Sequence, residues 1–160
     1  MAKQKYLKVV IGGTFDEFHL GHKILIKKAL EIGDQVIIGI TTKKMLLTNP
    51  KNHEIASFKK RLGAVVKYLN KLGEKYKVHI IPIDDPYGPT LTDTELQAII
   101  VSTETASIAK TINEIRVKNG LKPLRVEIIE MVLAEDNHPI STTRIKHGEI
   151  DINGKIIDTT

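Results

Sequence analysis

Apolar residues along this chain fall into two patterns, dense short runs and longer runs with helical spacing. The dense runs are rich in Val and Ile and predict five strands, at residues 5–12, 35–41, 77–83, 98–102 and 124–131. A run such as 36–40 has no polar position, which is typical of a parallel strand covered on both faces. The chain is therefore expected to bury a sheet of such strands.

Amphipathic segments separate the dense runs. Residues 22–32, 57–71 and 105–119 place apolar side chains three and four positions apart, which predicts helices. A last short helix is predicted to begin at Ser141. Three other segments carry weaker signals: residues 41–55 are predicted to form a mobile polar loop, a short helix is expected after Thr92, and the tail from Asp151 is expected to be poorly ordered or to pack at an interface.

Strands that alternate with helices predict an α/β fold, because parallel strands need long crossover connections. We expect residues 1–150 to form one Rossmann-like, doubly wound domain, with five parallel strands, helices on both faces, and a tail at 151–160. Ligands of such sheets bind beyond the carboxyl ends of the strands. The segments 13–22, 41–44, 102–105 and 138–144 should therefore converge on one site.

Composition narrows the setting of this domain. The 160 residues include no cysteine, which excludes disulfides and thiolate metal sites. No apolar run approaches the length of a membrane span and no signal peptide is evident, so a cytoplasmic protein without membrane association is expected. The oligomeric state is left open, a homo-oligomer included.

Charge is distributed unevenly between the two halves of the chain. Residues 1–80 carry 16 Lys and Arg against 6 Asp and Glu, whereas residues 81–160 carry 8 against 13. A positive half attracts polyanions, either a nucleoside triphosphate or a nucleic acid. We favour solvated helix faces for most of these lysines and expect no nucleic-acid partner, because interleaved aromatic residues and recognised reading motifs are missing.

The chemistry of the chain is concentrated in residues 9–22, where an apolar run meets two glycines and then two histidines. Glycines let a backbone approach phosphate, and a helix N-terminus offers free N–H groups to it. Gly13-Thr14-Phe15-Asp16 and His19-Leu20-Gly21-His22 resemble the G-T-F-D and H-x-G-H motifs of the nucleotidylyltransferase superfamily. Residues 140–145 resemble its I-S-S-T-R-I motif. The resemblance implies transfer of AMP or CMP from a nucleoside triphosphate with release of pyrophosphate.

Three further stretches, residues 85–90, 100–105 and 119–121, resemble the archaeal type of phosphopantetheine adenylyltransferase. This similarity extends over residues 5–147. It implies AMP transfer from ATP to 4′-phosphopantetheine, giving dephospho-coenzyme A and pyrophosphate, with Mg²⁺ carried by ATP and no metal site of the protein's own. A cytidylyltransferase or a nicotinamide-mononucleotide adenylyltransferase of the same fold remains an alternative, and a non-catalytic nucleic-acid-binding module is a remote one.

The resemblance also implies roles for individual residues. The catalytic positions are His22, Lys43 and Thr14; the ATP-binding positions are Gly13, Phe15, His19, His22, Ser102, Glu104, Ser141, Thr142, Thr143 and Arg144; the acceptor-binding positions are Thr14, Lys43, Lys44 and Tyr87. His22 matches the histidine that stabilises the transition state, and Thr14 matches a hydroxyl that orients the acceptor phosphate.

Several of these positions have a structural alternative. Thr14 can serve only to stabilise a turn, Ser141 only to cap a helix, and Tyr87 only to shape a tight turn. Lys43 is preferred over Lys44 as the phosphate ligand by its register after the second strand.

Residues 102–105 depart from the bacterial enzymes of this activity, which place arginines there. Charge neutralisation is then expected from Lys43 or Lys44, Arg144 and magnesium.

Overall fold

The computed structural model describes residues 5–48 and 54–158. Its strands are β1 Tyr6–Gly13, β2 Gly33–Thr41, β3 Val78–Ile83, β4 Ala98–Ser102 and β5 Arg125–Ile129. Its helices are α1 Leu20–Ile32, α2 Lys43–Thr48, α3 Phe58–Leu72, α4 Ala106–Lys118 and α5 Thr142–Lys146, with 3₁₀ turns at Lys75–Lys77 and Gly88–Leu91.

All five strands lie in one parallel sheet in the order β3-β2-β1-β4-β5. The chain builds outward from β1 to β3 and then crosses back to place β4 on the other side of β1. This reversal creates a crevice between β1 and β4 at the carboxyl ends of the strands, where ligands of open α/β sheets bind. The predicted Rossmann-like class is confirmed.

The hydrophobic core has a layer on each face of the sheet. Val9 and Ile11 point to the layer that α1 and α3 cover, whereas Val10 points to the layer under α4. The alternation follows from the two-residue period of a strand. It explains why the strand sequences are apolar at nearly every position, since both faces are buried. A third small cluster, Ala134, Ile140 and Ile150, supports α5.

Local signals fix the helix boundaries that flank the site. Ser57 caps α3 by accepting a hydrogen bond from the Lys60 N–H at 3.2 Å, and Gly73 ends the helix in the left-handed conformation at φ 70°. Both ends of α3 lie within one residue of the helix predicted over 57–71. Gly33 joins α1 to β2 with no intervening residue; a Cβ there would lie 2.6 Å from Val9 Cγ2.

The structure corrects three sequence predictions. The segment 41–55, predicted as a loop, contains α2, while residues 49–53 lie outside the described part of the chain. The described residues between Thr92 and β4 form no helix; a 3₁₀ turn lies earlier, at Gly88–Leu91, where Pro89 suits a helix start. Residues 151–158 form a turn that packs on the chain itself, with the Leu20 N–H donating to the Ile152 carbonyl at 2.9 Å.

None of the helices among residues 5–48 and 54–158 combines the length and the apolar character needed to cross a membrane.

Candidate active site

A cavity of about 540 Å³ opens at the carboxyl ends of the strands, over the crevice between β1 and β4. The segments that follow β1, β2, β4 and β5 all contribute to it, as the sequence predicted. Ten of the predicted site residues line the cavity: Gly13, Thr14, His19, His22, Tyr87, Ser102, Glu104, Ser141, Thr142 and Thr143. The histidine pair and the hydroxyl-rich start of α5, more than a hundred residues apart in sequence, therefore face one space.

The two histidines are held by the N-terminus of α1. His19 Nδ1 accepts the Gly21 N–H at 3.1 Å, and His22 Nδ1 accepts the His19 N–H at 3.1 Å. The rings stack with centroids 3.8 Å apart. Because each Nδ1 is an acceptor, a neutral ring must carry its proton on Nε2. The helix cap thus fixes the tautomer that presents two Nε2–H donors.

Burial keeps both rings neutral. Desolvation lowers the pKa of His19 to about 4. It lowers the pKa of His22 to about 3, with the neighbouring His19 adding to the effect. At pH 7 the pair therefore offers neutral hydrogen-bond donors. A phosphate group bound beside them would raise both pKa values, because an adjacent anion favours the charged form.

Phe15 and Phe18 support His22 from two sides. The Phe18 ring stacks on His22 with centroids 5.6 Å apart, and the Phe15 ring lies 5.2 Å away at a tilt. Phe15, predicted among the ATP-binding positions, is 1% exposed, and its side chain does not line the cavity. Its backbone has φ 55°, a conformation that non-glycine residues rarely adopt, so the loop after β1 holds strain beside the site.

Lys43 and Lys44 are both exposed at the start of α2. The cavity is lined instead by the next two residues of that helix, Met45 and Leu46. The structure therefore does not place either predicted lysine in the lining.

Arg144 lies outside the lining as well, because its own loop engages it. Its guanidinium forms a short ion pair with Asp136 and donates to the carbonyls of His138 and Pro139, at 3.3 and 3.1 Å. The hydrogen bonds from Arg144 hold the pKa of Asp136 below its usual range. The predicted triphosphate ligand is thus part of a structural ion pair in this conformation.

The hydroxyl groups of α5 also have structural partners. Ser141 Oγ accepts the Arg144 N–H at 3.2 Å and caps the helix, which is the alternative the sequence left open. Thr142 Oγ1 donates to the Asp16 carbonyl at 3.1 Å and ties α5 to the loop after β1. Thr143 lines the cavity.

The remaining predicted residues shape two turns at the cavity. The Ser102 N–H donates to Thr105 Oγ1 at 3.2 Å, which closes the turn that presents Glu104. Asp85 Oδ1 accepts the N–H groups of Tyr87 and Gly88, both at 2.8 Å. Tyr87 therefore shapes a turn and lines the cavity at once.

Sequence reasoning assigned no role to three residues that organise the site: Asp16, Lys146 and Arg61. Asp16 lines the cavity at 3% exposure, with Oδ2 3.2 Å from Lys146 Nζ and Oδ1 accepting the Ala56 N–H at 3.2 Å. Arg61, also 3% exposed, reaches the carboxyl ends of β1 and β2. Asp16 belongs to the G-T-F-D motif, so a signal for it was present in the sequence.

The cavity is poor in positive charge. Among the described residues that line it, none is a lysine or arginine, whereas Asp16, Glu104 and Glu130 bring carboxylates. Within this lining, an anion would be met by neutral N–H and O–H donors and by no lysine or arginine side chain of the described residues.

The fold and the histidine motif at its switch point define a nucleotidyltransferase. The chain belongs to the cytidylyltransferase-like family, whose model matches residues 10–148. At the finer level, the chain is 44% identical to the phosphopantetheine adenylyltransferase of Methanopyrus kandleri over 92% of each chain. It is 46% identical to the enzyme of that name from Methanosarcina mazei, over 93% of this chain and 96% of the relative. The family resemblance seen in the sequence is confirmed.

Solved structures agree with the fold. A protein of unknown function from Archaeoglobus fulgidus is 28% identical and superposes with a TM-score of 0.69, covering 84% of this chain and all of that chain. A bifunctional NMN adenylyltransferase/ADP-ribose pyrophosphatase from Francisella tularensis has a TM-score of 0.52 at 21% identity, over 79% of this chain and 37% of that one. The second likeness concerns the fold alone.

Proposed function

We propose that the protein transfers AMP from ATP to 4′-phosphopantetheine, giving dephospho-coenzyme A and pyrophosphate. The observation that carries this proposal is the shared cavity of the His19–His22 pair and the start of α5 at the switch point of the sheet. Similarity to enzymes named phosphopantetheine adenylyltransferase over more than nine-tenths of the chain supplies the substrates.

The reaction is an in-line displacement at phosphorus. An oxygen of the acceptor's phosphate attacks the α-phosphorus of ATP, the bond to the bridging oxygen breaks, and pyrophosphate leaves. A phosphate monoester is already largely dianionic at neutral pH, so the step needs no general base. The protein has to position the two substrates and stabilise the charge that develops.

We assign that stabilisation to His22. Its Nδ1 is occupied by the His19 N–H, so Nε2–H is the atom left to donate to an α-phosphate oxygen. A neutral donor suits this task, because it gains strength as negative charge develops on the oxygen. His19 fixes the orientation of His22 and adds a second donor, and Thr14 binds the acceptor phosphate.

Positive charge comes from two proposed sources. Mg²⁺ bound to ATP would neutralise part of the phosphate charge; this fits a described lining that holds three carboxylates and neither lysine nor arginine. Lys43, or Lys44, reaches the phosphates from α2, whose next residues already line the cavity. Both roles follow the family pattern and are offered as proposals.

Release of pyrophosphate from ATP, Mg²⁺ and phosphopantetheine tests the proposed function. Wild-type protein should turn over, and His22→Ala should lower kcat/KM by at least a hundredfold, as expected for loss of a principal charge-stabilising donor. His79→Ala is the matched control, since His79 is exposed on β3 and does not line the cavity.

Parallel reactions test the other members of the fold class. Turnover with CTP and a polyol phosphate, or with nicotinamide mononucleotide, in place of turnover with phosphopantetheine would overturn the proposal.

A further inference from the structure

A buried arginine, Arg61, contacts the backbone of Thr14, the residue whose hydroxyl is proposed to bind the acceptor phosphate. Arg61 lies in the first turn of α3, and its guanidinium reaches the ends of two strands. Nη1 donates to the Thr14 carbonyl at 3.0 Å and to the Thr41 carbonyl at 2.7 Å, while Nε donates to the Ala56 carbonyl at 2.9 Å. These bonds join β1, β2 and the approach to α3 at one charged group.

The same guanidinium also contacts a hydroxyl. Arg61 Nη1 lies 3.3 Å from Thr41 Oγ1 and donates to it as part of a bifurcated hydrogen bond, because its two hydrogens serve three acceptors. Guanidinium carries donors only and stays protonated in proteins. The Thr41 hydroxyl therefore acts as the acceptor in this contact, and its own proton must point elsewhere.

The partner for that proton is Thr14. Thr41 Oγ1 donates to Thr14 Oγ1 at 3.2 Å. Because Thr14 accepts this bond, its own proton is not directed at Thr41. Thr14 lines the cavity, so its O–H is free to donate into the space where the substrates meet.

A phosphate dianion only accepts hydrogen bonds, so the direction of the Thr14 proton decides whether this hydroxyl attracts or repels it. We infer that Arg61 and Thr41 are positioning residues that turn Thr14 into a hydrogen-bond donor for the acceptor phosphate. The inference rests on the proposed function. Neither residue was singled out by the sequence motifs, and Arg61 acts without touching either substrate.

Burial makes this relay rigid. Arg61 is 3% exposed, and Thr41, which lines the cavity, is 5% exposed, so little water competes for their hydrogen bonds. The site therefore holds Thr14 in one state before substrate arrives, which lowers the cost of organising it during binding.

Thr41→Val is the test variant, because it keeps the shape of the buried side chain and removes the hydroxyl. The expected result is a rise of about tenfold in KM for phosphopantetheine, the effect of weakening one hydrogen bond to a charged group. KM for ATP should stay within about twofold. Thr41→Ser retains the hydroxyl and should keep the wild-type KM for phosphopantetheine.

Matched variants separate positioning from general structural damage. Thr111→Val removes a hydroxyl that bonds only within α4, to the Ser107 carbonyl, and should leave both KM values unchanged. Arg61→Lys keeps a positive charge but loses the fork of donors, so it should raise acceptor KM as well. Thermal melting of each variant verifies that it folds.

A double-mutant cycle tests the route through Thr14. If Thr41 acts only through that hydroxyl, Thr41→Val should cost nothing further in a Thr14→Ala background. Additive effects would instead show direct contact of Thr41 with substrate and would overturn the inference.

Two further outcomes bear on it separately. If the wild-type protein turns over and Thr41→Val has the same KM for phosphopantetheine, the inference is overturned and the proposed function stands. A wild-type protein that forms no dephospho-coenzyme A would overturn the proposed function, and the inference with it.

Discussion

His19 and His22 show how one set of atoms serves both folding and chemistry. Their Nδ1 atoms cap α1, and this use fixes the protons on Nε2. The H-x-G-H motif was enough to predict that both histidines belong to the site. The tautomer could not be read there, because it depends on which backbone N–H each ring accepts.

The depressed pKa values of this pair make stability depend on pH. Each pKa lies near 3 or 4 in the folded protein and near 6.5 in the unfolded chain. Between these limits the unfolded state binds more protons, so the free energy of unfolding should rise with pH from about 4 to 6.5 and be unaffected by the pair above that. The slope approaches roughly 1.4 kcal/mol per pH unit for each histidine.

Urea unfolding at pH 4.5, 5.5 and 7.5 measures this dependence. His79→Gln, at an exposed position, is the control and should keep the wild-type pH slope, whereas His19→Gln should reduce it. An identical slope in His19→Gln and wild type would contradict the assignment.

At the scale of elements, the apolar runs defined the strands well because both faces of the sheet are buried. The β4 boundaries matched the prediction at both ends. α2 was missed because its six residues are too few to display a helical period. The burial of Arg61 and Arg116 was not predicted, because a charged side chain is usually exposed to solvent. Arg61 nevertheless shares a helix face with Val65 and Leu69, at four-residue intervals.

Gly33 is the tightest joint between elements. A Cβ there would meet Val9 Cγ2 at 2.6 Å and the Ala29 carbonyl at 3.1 Å, so Gly33→Ala should lower the free energy of unfolding by about 1–3 kcal/mol through overpacking.

Gly63→Ala is the opposite case. Gly63 lies within α3 with no atom within 4 Å of its added Cβ, so this change should stabilise by roughly 0.5–1 kcal/mol. Chemical denaturation of both variants checks the contrast.

At the scale of the whole molecule, the site is assembled from distant parts of the chain. The topology of the sheet brought the predicted segments together, which the sequence could indicate. It could not indicate that Lys43, Lys44 and Arg144 stand outside the lining, since this depends on side-chain partners such as Asp136. The ion pair between Asp16 and Lys146 could not be predicted for the same reason, although Asp16 itself belongs to the G-T-F-D motif.

Lys146 connects α5 to the loop after β1 and to the segment before α3. Its Nζ lies 3.2 Å from Asp16 Oδ2 and 3.6 Å from Glu17 Oε1, and it also donates to the Glu54 carbonyl. Lys146→Met leaves the Asp16 carboxylate buried without its cation, so it should lower the free energy of unfolding by about 1–2 kcal/mol, less than for a fully buried pair because the lysine is partly exposed.

Guanidinium unfolding gives this value. Lys67→Met, at an exposed position on α3, should stay within about 0.5 kcal/mol of wild type. An equal loss of unfolding free energy in the two variants would show that the contacts of Lys146 do not stabilise the fold.

The turn that follows Ile150 returns to the first residue of α1, where the Ile152 carbonyl takes the Leu20 N–H. Asn153 beside it is exposed, and the chain contains no cysteine. A thiol introduced as Asn153→Cys would be the single attachment point for a fluorescent dye. Such a dye would lie outside the cavity, next to the residue whose carbonyl binds the start of α1 between His19 and His22. We expect its emission to change when a nucleotide binds, which would report binding directly without a coupled enzyme.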